Sequence, residues 1–126
     1  MSDKPAGRLP RLLVVDDETD LLASYEIILA AEGFEVCTAS NGKAALEKVG
    51  VFRPDVIVTD WMMPLMDGVE LITRLRGRPD TGRIPIIMTS AAGDWGRHGC
   101  ALANEFLRKP VTIADLLGAI GRWLEA

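Results

Sequence analysis

A chain of 126 residues, 48% hydrophobic and 25% charged, can bury one sizeable core and has the composition of an ordinary soluble globular domain. Its formal net charge of -4 argues against a general affinity for nucleic acid or an anionic membrane, and no apolar run approaches the length that spans a bilayer. Cys37 and Cys100 are the only cysteines, far apart and without metal-ligand spacing, so they read as buried free thiols of a cytoplasmic protein.

The start, "MSDKPAGRLP", lacks the apolar core of a signal peptide and reads as a polar, frayed tail over residues 1–10. Residues 11–15 form a short apolar run that ends in Asp16, Asp17 and Glu18. After the acids, Leu21, Leu22, Tyr25, Ile28 and Leu29 recur at helical spacing up to Gly33, a glycine stop. "FEVCTA" follows as a strand, and Asn41 is placed to cap a helix carrying Ala45, Leu46 and Val49. "DVIVTD" is a buried strand, and Asp67 precedes a helix with Val69, Ile72 and Leu75. "IPIIMTS" is a fourth strand and "EFLRK" a weaker fifth. Thr112 opens a last helix in which Ile113, Leu116, Leu117, Ile120 and Leu124 line one face.

Strands that alternate with helices, several of them apolar along their whole length, imply an α/β domain with a parallel sheet covered on both faces. In such sheets function gathers beyond the carboxyl ends of the strands. Asp16, Asp17, Asp60, Thr89, Ser90 and Lys109 all fall at strand ends in this reading. Adjacent carboxylates are expensive to assemble: two unit charges about 4 Å apart at an effective dielectric of about 20 repel by roughly 4 kcal/mol. Three acids at the tips of the first and third strands make an oxygen-rich pocket that suits a hard cation such as Mg²⁺. Lys109 could supply further positive charge and Ser90 a hydroxyl.

Four pieces, "VVDDE", "DWMMPLMDG", "PIIMTSA" and "FLRKP", occur in order, and through them the chain from about Arg11 to Trp123 resembles the receiver domains of two-component response regulators. The resemblance implies a flavodoxin-like (βα)5 fold with strand order 2-1-3-4-5, a tail over 1–10 and a stand-alone receiver over 11–126. It implies that Asp60 accepts a phosphoryl group from a sensor histidine kinase or phosphotransfer protein. Asp17 and Asp60 would bind Mg²⁺ through their carboxylates and Met62 through its backbone carbonyl, while Asp16 would act mainly through a metal-bound water. Lys109 would pair with Asp60 and then with the phosphoryl oxygens. Ser90 matches the switch hydroxyl and Phe106 the switch aromatic, here without the ring hydroxyl common in the family. The signal would pass by protein contact from a monomer or weak dimer, with no direct nucleic-acid or membrane partner. The Lys109–Pro110 bond would be cis.

Blander readings compete at each position. Asp16 and Asp17 could be a solvated helix cap, Asp60 a turn cap before Pro64, and Lys109 an edge-strand charge. Thr89 competes with Ser90, but strand neighbours face opposite sides. His98 reads as a surface residue. Met62, Met63 and Met66 read as loop packing, and Trp61 is expected to lie exposed beside the metal site. The segment "AAGDWGRHGCALANE" departs from the family: it carries three interior glycines, each costing a helix roughly 1 kcal/mol, so its helix is expected to be short or irregular.

Two other functions remain in play. A Mg²⁺-dependent phosphohydrolase with an aspartyl nucleophile would want an acid two residues past Asp60, where Met62 stands and can shuttle no proton. A phosphorylation-independent adaptor would not need the full set of acids, Ser90 and Lys109. Met62 and Ala92, both apolar, also imply slow hydrolysis of an aspartyl phosphate.

Overall fold

The computed structural model describes residues 7–91 and 102–125. Five strands, β1 (Arg11–Val15), β2 (Glu35–Ala39), β3 (Val56–Asp60), β4 (Ile86–Ser90) and β5 (Glu105–Arg108), form one parallel sheet in the order β2-β1-β3-β4-β5. Among the described residues four helices accompany it: α1 (Thr19–Ala31), α2 (Gly42–Phe52), α3 (Gly68–Arg76) and α4 (Ile113–Leu124). The single α/β domain and its strand order are those the sequence reading expected. The irregular helix expected between β4 and β5 falls on residues 92–101, outside the described set, as do Cys100 and His98.

The two-residue period of the strands divides the core. Leu13, Val15, Ile57, Ile86 and Met88 face α2 and α3, where Ala45, Val49, Leu71, Ile72 and Leu75 meet them. Leu12, Val14, Val56, Val58 and Ile87 face the opposite layer, made by Leu22 and Leu29 of α1 and by Leu116, Ala119, Ile120 and Leu124 of α4. Because both faces are covered, β3 and β4 are buried at every position, which explains their unbroken apolar runs.

The helix starts follow from local chemistry. Asn41, Asp67 and Thr112 accept hydrogen bonds from the backbone N–H groups of Ala44 (2.8 Å), Glu70 (2.9 Å) and Asp115 (3.0 Å). α1 ends before Gly33, whose φ of 98° suits a residue without a side chain. Residues 8–10 of the expected tail are tied to the domain: Arg8 donates to both Asp55 carboxylate oxygens (2.9 and 3.2 Å), and Glu35 N–H donates to the Pro10 carbonyl. Arg76 closes the opposite end of the sheet, donating to the carbonyls of Gly82, Ile84 and Leu102 and to Asn104 Oδ1. Cys37 is a free thiol and only half-buried, because it lies on the edge strand β2 rather than in the covered middle of the sheet.

Candidate phosphoacceptor site

Parallel order places the ends of β1 and β3 side by side, so residues distant in sequence meet at one edge. Asp16 follows β1 directly and its N–H still bonds the Ala39 carbonyl of β2 (3.1 Å). Asp60 is the last residue of β3. One carboxylate oxygen from each of Asp16, Asp17 and Asp60 lies within 4.8 Å of the others. Lys109, just beyond β5, reaches across: its Nζ stands 3.0 Å from Asp16 Oδ2, 3.4 Å from Asp60 Oδ2 and 3.9 Å from Glu18 Oε1. The ammonium therefore bridges two acids and lies nearer Asp16 than Asp60. The Lys109–Pro110 bond that follows is cis.

The solvated helix-cap alternative does not fit Asp16. The N-cap of α1 is Glu18, with no side-chain cap bond, whereas Asp16 is only 3% exposed and its Oδ1 accepts the Glu18 N–H (3.0 Å). Asp60, 7% exposed, accepts the N–H of its neighbour Trp61 (2.9 Å). Burial, and next the charge of Asp16, push the Asp60 carboxyl up to about 6, although Lys109 and the Trp61 amide pull the other way. Burial opposes the charge on Lys109, but its hydrogen bond to Asp16 and the charges of Asp16 and Asp60 outweigh that and hold its pKa above the ordinary lysine value. Tyr25, in α1, is raised by burial and then by Asp16.

The donor set fits Mg²⁺. It consists of hard carboxylate oxygens from separate segments, with one acid, Asp60, still poorly stabilised as an anion by the Lys109 ammonium alone. Asp17 is exposed and completes the trio from the solvent side. Met62, expected to lend its backbone carbonyl, lies two residues past Asp60 in the loop after β3.

The remaining candidates divide between the two faces. Ser90 is buried and shares its strand face with Ile86 and Met88, while Thr89 shares the other with Ile87. Phe106 is half-buried and pairs across the ladder with Met88. Trp61 corrects an expectation: rather than lying exposed it is 9% accessible and belongs to the core beside Met66 and Met88. Its N–H also donates to the Thr89 carbonyl (2.9 Å) and its carbonyl accepts the Gly68 N–H (2.8 Å), so the backbone after Asp60 turns the indole inward. Of the loop methionines, Met66 is buried and Met63 packs on the core, but Met62 is exposed, so the loop-packing reading does not hold for it.

Gly68 fixes how closely α3 approaches this loop. A Cβ there would lie 2.4 Å from the Asp60 carbonyl oxygen and 3.1 Å from Trp61 Cα, and backbone atoms cannot yield as a side chain can. Gly68→Ala should therefore cost about 1–3 kcal/mol of stability. An unchanged urea midpoint would contradict that.

The family model for the response regulator receiver domain matches residues 12–121. The chain belongs to that family, the receiver domains of two-component systems. It is 38% identical over 115 residues to the phosphate regulon transcriptional regulatory protein PhoB of Rhizobium meliloti, covering 89% of this chain and 51% of that one. It thus spans about half the length of the curated relatives it matches. Among solved structures, the chemotaxis protein CheY4 of Vibrio cholerae is similar, with a TM-score of 0.85, 32% identity and coverage of 92% of this chain and 99% of that one. The response regulator TrrA of Thermotoga maritima, in complex with Mg²⁺-BeF, gives a TM-score of 0.82 and 29% identity, covering 92% of this chain and 100% of that one. No helix among the described residues is long and apolar enough to cross a membrane.

Proposed function

We propose that Asp60 is the phosphoacceptor of a two-component or phosphorelay system, taking its phosphoryl group from the phosphohistidine of a sensor kinase or phosphotransfer protein. One observation carries this reading: three carboxylates from two strand ends lie within 4.8 Å of one another, with the Lys109 ammonium 3.0 Å from one and 3.4 Å from another. In the transfer an Asp60 carboxylate oxygen bonds the phosphorus, the phosphorus–nitrogen bond of the donor breaks, and the imidazole nitrogen keeps the electron pair. A carboxylate is a weak nucleophile, so rate must come from alignment and charge neutralisation.

Asp17 and Asp60, with the Met62 carbonyl, would hold Mg²⁺, and Asp16 would act on it mainly through water. When bound, the ion neutralises the acids and the transferred oxygens. Lys109 turns from the acids to a phosphoryl oxygen. Ser90 serves as the switch hydroxyl and Phe106 as the aromatic that follows it, and the phosphoryl group acts by favouring one of two conformations. The protein works as a phosphoacceptor that signals by protein contact in the cytoplasm, as a monomer or weak dimer, rather than as an enzyme turning over a separate substrate.

Acetyl phosphate treatment with Mg²⁺, followed by mass spectrometric mapping, tests the assignment. Wild type should gain one phosphoryl group on Asp60, and Asp60→Asn should gain none. Catalytic release of phosphate from added esters would favour the phosphohydrolase, and absence of label on wild type would favour the adaptor.

A further inference from the structure

We propose that Thr89 and Tyr25 are positioning residues, the floor and the roof of a slot that aims the Lys109 ammonium at the acids; the consequence for phosphorylation rests on Asp60 being the phosphoacceptor. Lysine has a long flexible stem, whose freedom is lost when it is held in one direction. Its Nζ nevertheless stands 3.0 Å from Asp16 Oδ2 and 3.4 Å from Asp60 Oδ2. Something must hold the stem on that course.

The sheet fixes its path. Lys109 starts beside the end of β4, because its N–H donates to the Ser90 carbonyl (2.9 Å). Its ammonium ends at Asp60 on β3 and Asp16 after β1, both on the far side of β4 in the strand order. With neighbouring strands about 4.8 Å apart, β5 and β3 are separated by roughly 10 Å, so the stem crosses the tip of β4 with little slack. Parity decides which β4 residue lies under it. Asp60 pairs with Thr89, and Thr89 with Leu107. Residues paired across parallel strands share a face, so Asp60, Thr89, Leu107 and, two positions on, Lys109 belong to the layer of Val58 and Ile87. Ser90 falls on the opposite face. Thr89, 6% exposed, is thus the β4 side chain beneath the lysine, and its β-branched stem has few rotamers.

Helix α1 closes the slot from above. Leu21 and Tyr25 line a cleft of about 420 Å³ with Glu18, Lys109, Pro110 and Val111. Burial raises the Tyr25 phenol, Asp16 adds to this and Lys109 opposes it, so the ring lies close enough to feel both charges. Without the ring the stem would be free to swing into the cleft and away from Asp60.

Double-mutant cycles with Lys109→Met test the slot, since methionine keeps a stem and drops the ammonium. Urea unfolding with a chelator at neutral pH is one readout, and it needs no phosphorylation. Thr89→Ala and Tyr25→Ala should each lower the midpoint more in wild type than in the Lys109→Met background, where only packing is lost. Initial labelling by acetyl phosphate with Mg²⁺ is the other. Each alanine variant should label about tenfold more slowly than wild type, but within about twofold of its parent once Lys109 is already replaced. Thr89→Val and Tyr25→Phe keep the shape of the walls and should recover most of both losses. Equal losses in the two backgrounds would overturn the proposal, as would alanine variants that match wild type. If the unfolding cycles show coupling but wild type takes no label, the slot stands and the reading of Asp60 as acceptor fails.

Discussion

Asp60→Asn should raise the stability of the metal-free protein near pH 7 by about 1–2 kcal/mol, and the gain should vanish on acidification to about pH 4. The folded state holds the Asp60 carboxyl at about 6, against an ordinary value of 3.8, because burial and then Asp16 oppose its charge. Between those values the folded protein binds more protons than the unfolded chain, so stability falls as pH rises. The contribution of this group is fully present below the ordinary value and is lost as pH passes through the folded one. Asparagine is neutral throughout and escapes the loss, while its carbonyl oxygen can still accept the Trp61 N–H. A shift of two units would give about 3 kcal/mol, reduced here because water reaches the rim of the site. Urea unfolding in the presence of a chelator, at several pH values, checks the sign. A variant no more stable than wild type near pH 7 would show that Asp60 is not held at a cost. Added Mg²⁺ should close the gap, since a cation stabilises the wild-type anion and gives the amide much less.

The same cost explains which parts of the site could be read from sequence. Asp60 ends a fully buried strand and Asp16 directly follows one buried from Leu12 to Val15, a pattern visible in "LLVVDDE" and "VIVTD" because strands covered on both faces carry unbroken apolar runs. Asn41, Asp67 and Thr112 were legible because capping is chemistry between near neighbours. That Lys109 reaches the acids depends on strand order, which periodicity does not encode; resemblance to the family implied its pairing with Asp60, and its shorter contact with Asp16, across 93 positions, was not foreseen.

Features set by distant backbone partners were hidden. Trp61 was expected at the surface, yet the Thr89 carbonyl and the Gly68 N–H fix its backbone and turn the indole into the core. α2 ends in a left-handed Arg53, φ 54°, where no glycine announces the stop. Leu65, φ 70°, is likewise left-handed at a position nearer the chemistry. The clamp formed by Arg76 joins the end of α3 to the approach to β5, and nothing in "RLRGR" distinguishes that arginine from its neighbours.

Lys109→Met should act on stability, labelling and metal affinity at once. It keeps an unbranched stem of similar length and removes only the charge, so packing losses stay small. Asp16, 3% exposed, then loses a 3.0 Å partner, and Asp60 loses the 3.4 Å ammonium that draws its pKa down. Removing one member of a buried ion pair leaves an uncompensated charge, so the metal-free protein should lose about 2–4 kcal/mol at neutral pH. The part of that loss due to Asp60 should shrink as the solution is acidified, because its carboxyl, raised further once the ammonium is gone, becomes neutral. Labelling by acetyl phosphate should fall by about a hundredfold or more, the scale seen when one charge-stabilising donor is removed from a transition state. Affinity for Mg²⁺ should move in the opposite direction: with the competing ammonium gone, the acids face no other cation, and binding should tighten. Mg²⁺ titration followed by unfolding and by initial labelling rate separates these effects. If Lys109→Met labelled at the wild-type rate, or bound Mg²⁺ more weakly, the ammonium would have neither of the roles its two short contacts assign it.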